Sequence, residues 1–215
     1  MILSATLVTD GASDAVLVRA LEWLLAQLTT ASVELTWADL RGAHPRPGNL
    51  GERLATAIAL FPCQLLFVHR DAENQPPELR YDEIRAANRT GVHYVCVVPV
   101  RMQEAWLLHN EAALREAAGR PSATNDLFLP PRSKWELLPD PKETLRVALF
   151  EASGAQGRRA RKFRPGRAVH RLAELITDWS PLRHVPSFGR LEADTRLAIE
   201  GLGLPLDGPS ADSRH

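Results

Sequence analysis

Cysteine is scarce in this sequence, and no apolar run is long enough to cross a membrane. The chain has two cysteines in 215 residues, Cys63 and Cys96, and neither belongs to a CxxC pair, so a zinc or redox motif is not supported. Both lie in apolar runs, where a thiol packs as a small hydrophobe. A membrane-spanning helix needs roughly 20 apolar residues, and the N-terminus lacks the basic start and cleavage region of a signal peptide. These absences favour a cytoplasmic protein that does not contact a membrane.

Net charge is also absent, because 26 lysines and arginines balance 26 aspartates and glutamates. The chain as a whole therefore exerts no electrostatic pull on nucleic acid or anionic lipid, and any basic surface must be local. There is no GxxxxGK(S/T) motif, so any ATP hydrolysis would belong to a partner. With 45% apolar residues, the length suffices for one core and a small appended part.

Strand-like and helix-like apolar patterns alternate four times in the first half of the chain. The strand patterns cover residues 2–8, 33–40, 63–68 and 93–98, and the helical patterns that follow them end near residues 28, 60, 88 and 118. Short connections between such units predict an α/β fold with a mostly parallel four-stranded sheet flanked by helices. Ligands of such sheets bind beyond the carboxyl ends of the strands.

The second half begins with a proline-rich stretch and then turns helical. Asp140, Pro141 and Glu143 together form a helix start, with a capping acid, proline at the first helical position and glutamate three residues past the cap. This helix is predicted to reach residue 153, and its partner to cover 166–177. The predicted organisation is an α/β domain over 1–120, a helical extension over 121–202 and a disordered tail over 203–215.

Acidic residues follow three of the four predicted strands. Asp10 and Asp14 come after the first strand, Asp71 and Glu73 after the third, and Glu104 after the fourth. Carboxylates at one rim are hard ligands for Mg²⁺ or Mn²⁺, and such an ion can polarise a phosphodiester. The alternative is that they cap helix N-termini, which is an equally good explanation for Asp14 and Glu104. Asp10 and Asp71 directly follow buried strands and are the preferred ligands.

Residues 157–167 form the strongly basic stretch of the chain. Its six cations are Arg158, Arg159, Arg161, Lys162, Arg164 and Arg167. With Phe163 among them, they can follow the phosphate backbone of DNA or RNA and stack a base. The alternative is a solvated, mobile connector between two helices, which the neutrality of the whole chain slightly favours.

Two sequence segments resemble the motifs of Toprim domains. Residues 8–14, with Asp10, look like the first motif, and residues 68–73, with Asp71, look like the DxD pair of the second. Over about residues 5–195 the chain resembles a Toprim-like family of uncharacterised bacterial proteins, "domain of unknown function 4276", often encoded beside an ABC-type ATPase in suspected phage-defence operons.

Further matches to that family are the segment Gln103-Glu104-Ala105-Trp106-Leu107-Leu108, the phrase Asp140-Pro141-Lys142-Glu143, and the ending Ser180-Pro181-Leu182-Arg183 with Pro186-Ser187-Phe188. The resemblance implies that Asp10 is a general base or ligand, that Asp71 and Glu73 hold a metal, and that Glu104 borders the site.

The sequence departs from the Toprim pattern at two positions. Asp10 replaces the usual glutamate and is shorter by one methylene, while His69 stands where the first aspartate of the DxD pair is expected. His69 can act as a base near neutral pH or ligate a metal, although an imidazole suits zinc or manganese better than magnesium. These departures keep a degenerate, non-cutting site open.

The leading hypothesis is a nuclease that depends on Mg²⁺ or Mn²⁺ and acts as an effector in phage defence. Asp10, Asp71 and His69 would be catalytic, Asp10, Asp71, Glu73 and Glu104 would hold the ion, and Asp14 would be secondary. The alternative hypothesis is a catalytically degenerate Toprim-like protein that binds an ABC-type ATPase or senses nucleic acid. The substitution at His69 is the main argument for it.

Overall fold

The computed structural model describes residues 2–207 and contains four strands and eight α-helices within this range. The strands are β1 (Ile2–Val8), β2 (Ser32–Trp37), β3 (Leu65–His69) and β4 (His93–Val97). The helices are α1 (Leu17–Leu28), α2 (Leu50–Leu60), α3 (Pro77–Ala87), α4 (Glu111–Ala117), α5 (Pro141–Ser153), α6 (Gly157–Lys162), α7 (Pro165–Leu175) and α8 (Pro186–Gly201). Short 3-10 helices cover Ala12–Val16, Leu40–Gly42, Gln103–His109, Arg132–Leu137 and Ser180–His184.

The four strands form one sheet in the order β2-β1-β3-β4, and every pairing is parallel. The predicted α/β class with a four-stranded parallel sheet is therefore confirmed. Because all strands run the same way, their carboxyl ends meet at one edge, which we call the carboxyl edge. That edge carries the residues that follow each strand.

Two apolar cores lie on the two faces of the sheet. One face of β1 presents Leu3 and Leu7 to α1, while Val8 belongs to the second core, with α2 and α3. Alternation along a strand sends successive side chains to opposite faces. The helix α1 connects β1 to β2 on one side of β1, and α2 then leads back to β3 on the other side of β1. The order of strands in the sheet therefore reverses between β1 and β3, and ligands of such sheets bind at this switch point.

The C-terminal helices share the core of α1 and the sheet. Phe188, at the start of α8, packs edge-on against Trp106 with ring centroids 5.3 Å apart and lies 6.5 Å from the ring of Trp23. Trp106, Trp135 and Trp179 are all buried, as the sequence predicts. The predicted extension is thus built onto the sheet through a common apolar core rather than separated from it.

The start of α5 has the geometry that its sequence predicts. The Asp140 carboxylate accepts a hydrogen bond of 2.8 Å from the Glu143 backbone N–H, and Pro141 is the first helical residue. Gly154 ends the helix in the left-handed conformation, which glycine adopts without steric cost.

The structure differs from the sequence prediction in two segments. The single helix predicted over 103–118 is two helices, the 3-10 helix Gln103–His109 and α4. Asn110 separates them because its backbone is extended and its side chain accepts from Ala113 N–H, which makes it an N-cap.

The second difference concerns the predicted tail. Residues 203–207 are ordered, since Leu206 forms an antiparallel bridge with Thr29 and Asp207 N–H donates to Leu28 O at 2.8 Å. The rest of that predicted tail, 208–215, lies outside the described residues. Within 2–207, no helix combines the length and the apolar character that a bilayer span requires.

Candidate functional site at the carboxyl edge of the sheet

His69 lies between two aspartates at the point where the strand order reverses, between β1 and β3. Its Nε2 atom is 3.1 Å from Asp71 Oδ1, and its Nδ1 atom is 3.5 Å from Asp14 Oδ2. The histidine side chain is fully buried, and the Asp14 side chain is only 9% exposed. We call Asp14, His69 and Asp71 the His69 cluster.

The loop after β4 closes the His69 cluster from the other side. Gln103 Nε2 donates to Asp14 Oδ1 at 2.8 Å, and the Gln103 backbone N–H donates to Asp71 Oδ1 at 3.1 Å. Gly11 N–H also donates to Asp14 Oδ2 at 2.9 Å. Both carboxylates therefore accept hydrogen bonds from this loop or from Gly11.

The electrostatics of the His69 cluster favour a charged His69 and a charged Asp14. Burial alone would lower the pKa of His69, but the hydrogen bonds and charges of Asp14 and Asp71 outweigh it and raise the pKa to about 9. Burial acts to raise the pKa of Asp14, yet its bonds to His69 and Gln103 hold that pKa well below the ordinary range. The raised pKa favours an imidazolium at His69 at neutral pH.

Glu104 is the third acid close to this cluster. Its side chain is buried, and burial raises its pKa, with a further rise from the charges of Asp71 and Asp14 and an opposing effect of Lys142. Perturbed carboxyl groups of this kind concentrate at functional sites. Glu104 therefore lies near enough to Asp71 and Asp14 for their charges to raise its pKa.

Asp10, one of the two preferred ligands, is engaged differently. Its Oδ1 atom is 2.6 Å from Arg53 Nη2, and its Oδ2 atom is 2.9 Å from Arg70 Nε. Two guanidinium groups therefore hold the two oxygens that a metal would need. Asp14, for which helix capping was an equally good explanation, contacts His69 together with Asp71 instead.

Glu73 lies apart from the His69 cluster. Its backbone has a positive φ of 54°, its side chain is 59% exposed, and its nearest cation is Arg80 at 3.5 Å. Its backbone N–H donates to Arg101 O at 2.8 Å. Glu73 therefore belongs to the outer rim of the carboxyl edge.

The residues at this edge do not form a metal-binding arrangement. Among residues 2–207, no group of three or more histidine, cysteine, aspartate or glutamate side chains is placed to hold an ion. Asp10 is bound by arginines, and the positive charge between Asp14 and Asp71 is that of His69. The conformation seen here does not fit Mg²⁺ or Mn²⁺, and metal binding stays a prediction.

Arginines of the carboxyl edge are functional candidates that the sequence analysis missed. Arg53, Arg70 and Arg80 have side chains that are only 17–21% exposed, and each pairs with an acid of this edge. Arg80 Nε also donates to Asp71 O at 3.0 Å. We call these three residues the arginine rim. Arg70 lies directly after a buried strand, a signal that was available in the sequence.

The basic segment, residues 157–167, consists of α6 and the start of α7. Its six cations are all exposed, and none forms an ion pair with another described residue; they are Arg158, Arg159, Arg161, Lys162, Arg164 and Arg167. Phe163 packs edge-on against Phe150 at 6.0 Å, so it serves the core and is not free to stack a base. The segment is helical, and the alternative of a solvated, mobile connector between two helices stays a prediction.

Comparison with models of protein families, with curated proteins and with solved structures finds no match for this chain. The resemblance to Toprim proteins therefore remains a proposal that stands on the sequence phrases. The function has to be argued from the residues at the carboxyl edge and in the basic segment.

Proposed function

We propose that this chain is a catalytically degenerate Toprim-like protein that binds nucleic acid and does not use a metal ion for cutting. The observation that carries the proposal is the position of His69 between Asp14 and Asp71. An imidazolium there balances one of the two carboxylate charges, so a divalent cation would have to displace a buried charge already paired and hydrogen-bonded. Breaking such a buried pair is costly.

The basic segment supports the binding of a polyanion. Six exposed cations without acidic partners can each neutralise a phosphate and release counterions. The segment leads into α7, and α7 packs against the 3-10 helix Ala12–Val16, which contains Asp14. A bound strand can therefore extend from the basic segment toward the arginine rim.

A metal-dependent nuclease is the second candidate, and Glu104 is the observation that favours it. Its buried carboxyl group has a raised pKa partly because Asp71 and Asp14 are close. Mutual repulsion among three carboxylates is relieved by a cation. In this candidate, Asp14, Asp71 and Glu104 would supply oxygen ligands and His69 would have to leave its present position.

The binding test compares two double variants. Replacing Arg158 and Arg161 by alanine should weaken the binding of labelled DNA and RNA and reduce the slope of log K against log salt by about 2 for a duplex, one for each lost phosphate contact. The matched control replaces Arg85 and Arg89, two exposed arginines at or after the end of α3, and should leave the slope unchanged. Equal slopes for both variants would count against the basic segment as the binding surface.

The cleavage test uses the same substrates with Mg²⁺ or Mn²⁺ added. The degenerate site predicts no cutting by the wild type. Cutting that is abolished in an Asp71→Asn variant would instead establish the nuclease. Because binding and cutting are measured separately, the two candidates give different results.

A further inference from the structure

A cavity of about 530 Å³ lies beside the His69 cluster, between the carboxyl ends of β1 and β2. Thr9, Asp10 and Gly11, which follow β1, line one side, and Trp37 at the end of β2 and Asp39 after it line the other. The predicted metal site and the basic segment do not account for it. Its size is in the range of small-molecule sites, and ligands of parallel sheets bind at this edge.

Three arginines give the cavity a positive balance. Arg53 forms an ion pair with Asp10, and Arg70, which does not line the cavity, also contacts that carboxylate. Arg41 donates to both carboxylate oxygens of Asp39, at 2.6 and 2.8 Å.

Arg46, the third arginine of the lining, is exposed and has no ion-pair partner among residues 2–207. The two acids are therefore neutralised by their neighbours, and Arg46 is left to receive an anion. An arginine is the side chain best suited to a phosphate group.

Trp37 supplies a fixed aromatic wall to the same cavity. Its indole Nε1 donates to Thr9 Oγ1 at 3.0 Å, and Thr9 Oγ1 in turn donates to Gly11 O at 2.8 Å. The guanidinium of Arg41 lies 5.6 Å from the centre of the ring. A rigid indole next to cations is the combination that stacks a nucleobase while its phosphate is paired.

We propose that this cavity binds a nucleoside monophosphate group, with the phosphate on Arg46 and the base against Trp37. The group can be a free mononucleotide or the 5′-terminal nucleotide of a nucleic-acid strand. The second source rests on the proposed nucleic-acid binding, and the first does not. The chemistry recognised is the same in both, a phosphomonoester beside a flat ring.

Binding is measured with the full chain, using adenosine, adenosine 5′-monophosphate, and a 3′-labelled oligonucleotide with either a 5′-phosphate or a 5′-hydroxyl. The mononucleotide should bind at least about tenfold more tightly than adenosine, the effect of a charged hydrogen bond. If strand ends are the natural source, the 5′-phosphate oligonucleotide should show the same advantage. Equal binding of each phosphorylated ligand and its unphosphorylated counterpart would overturn the inference.

Variants locate the site. Arg46→Ala should remove the preference for phosphorylated ligands, because it removes the cation that pairs with the phosphate. Arg46 is exposed and forms no ion pair among residues 2–207, so its loss should leave the fold intact. The matched control is Arg89→Ala, an exposed arginine between α3 and β4 at the opposite edge of the sheet. If Arg46→Ala binds like Arg89→Ala, the cavity is not the site.

The inference and the proposed function fail in different ways. Mononucleotide binding that Arg46→Ala abolishes, without any oligonucleotide binding, keeps the cavity assignment and removes the nucleic-acid proposal. If oligonucleotides bind equally well with and without the 5′-phosphate and mononucleotides do not bind, the nucleic-acid proposal is kept and the cavity assignment is removed.

Discussion

The Nε2 atom of His69 lies 3.1 Å from Asp71 Oδ1 at the carboxyl end of the buried strand β3. This pair, with Asp14 on the other ring nitrogen, keeps a positive charge inside the sheet edge. Isolated charges are not tolerated in such positions, so the histidine and its two acids must be treated as one unit. Several properties of the protein should depend on that unit.

Stability should fall as the pH rises from neutral to alkaline. The pKa of His69 is raised from 6.5 to about 9 in the folded chain, so its stabilising effect is complete below pH 6.5 and is lost as the pH passes 9. The shift corresponds to roughly 3 kcal/mol. Urea unfolding at pH 6 and pH 9.5 measures it, and a His69→Gln variant should show a much flatter dependence. If the free energy of unfolding changes equally between pH 6 and pH 9.5 in both proteins, His69 is not an imidazolium in the folded chain.

At acidic pH, the free energy of unfolding should instead fall as the pH decreases, because of Asp14. The pKa of Asp14 is lowered in the folded chain, so its contribution is present above its ordinary value of 3.8 and disappears as the pH falls through the lowered pKa. The His69 cluster therefore stabilises the fold most between about pH 4 and pH 6.5. An optimum of stability well above pH 8 would be incompatible with this cluster.

Replacing His69 by aspartate should create a binding site for a divalent ion at the carboxyl edge. H69D supplies the first acid of the DxD pair and removes the internal cation, leaving carboxylates whose repulsion a divalent ion relieves. Mn²⁺ at tenfold its dissociation constant would add about 1.4 kcal/mol of stability, or about 3–6 °C in Tm at this chain length.

Thermal unfolding with and without Mn²⁺ checks the H69D prediction, and H69N is the control that removes the imidazole without adding a charge. The wild type and H69N should show no comparable rise in Tm. A rise of the same size in the wild type would mean that His69 does not prevent metal binding.

The sequence predicts the strands and most helices because their signals are local. The bounds of α2 and the Asp140 cap agree closely with the apolar spacing and capping residues from which they were predicted. Asn110 was an equally local signal, an N-cap residue inside an apolar pattern, and it went unused. Gly203–Asp207 depend instead on contacts with Leu28 and Thr29, far away in the sequence.

The candidate site is harder to predict because side-chain direction and distant partners decide it. Asp10 and Asp14 both follow β1, but Asp14 accepts from Gly11 N–H and turns inward, whereas Asp10 meets Arg53 and Arg70 from later parts of the chain. No spacing rule links those arginines to Asp10. Which of these acids lies beside His69 therefore could not be predicted from spacing alone.

The helical extension and the sheet should unfold together. Phe188 is fully buried in α8 and packs on Trp106 and Trp23, so truncating it to alanine should cost about 3–5 kcal/mol. Leu197→Ala, at a 64% exposed position of the same helix, should change stability by less than about 0.5 kcal/mol.

Circular dichroism and tryptophan fluorescence should report a single shared transition in both variants. Separate transitions, with only one of them shifted by Phe188→Ala, would mean that the extension is an independent domain.

Gln103 should contribute more to the free energy of unfolding than the exposed Gln64, which directly precedes β3. Its buried amide donates to the Asp14 carboxylate at 2.8 Å, and hydrogen bonds to charged groups contribute about 1.5–3 kcal/mol. Gln103→Leu keeps the volume and removes the donor, so Asp14 loses one of the bonds that keep it ionised and the free energy of unfolding at pH 7 should drop by that amount.

The matched control for Gln103 is Gln64→Leu, because Gln64 is exposed and accepts from Ser4 N–H at the amino edge of the sheet. Water can replace that bond, so the control should lose less than about 1 kcal/mol. Urea unfolding of both variants at pH 7 gives the comparison. If both variants lose the same small amount, Gln103 does not hold Asp14 in its ionised form, and the closed cluster around His69 would depend on the two aspartates alone.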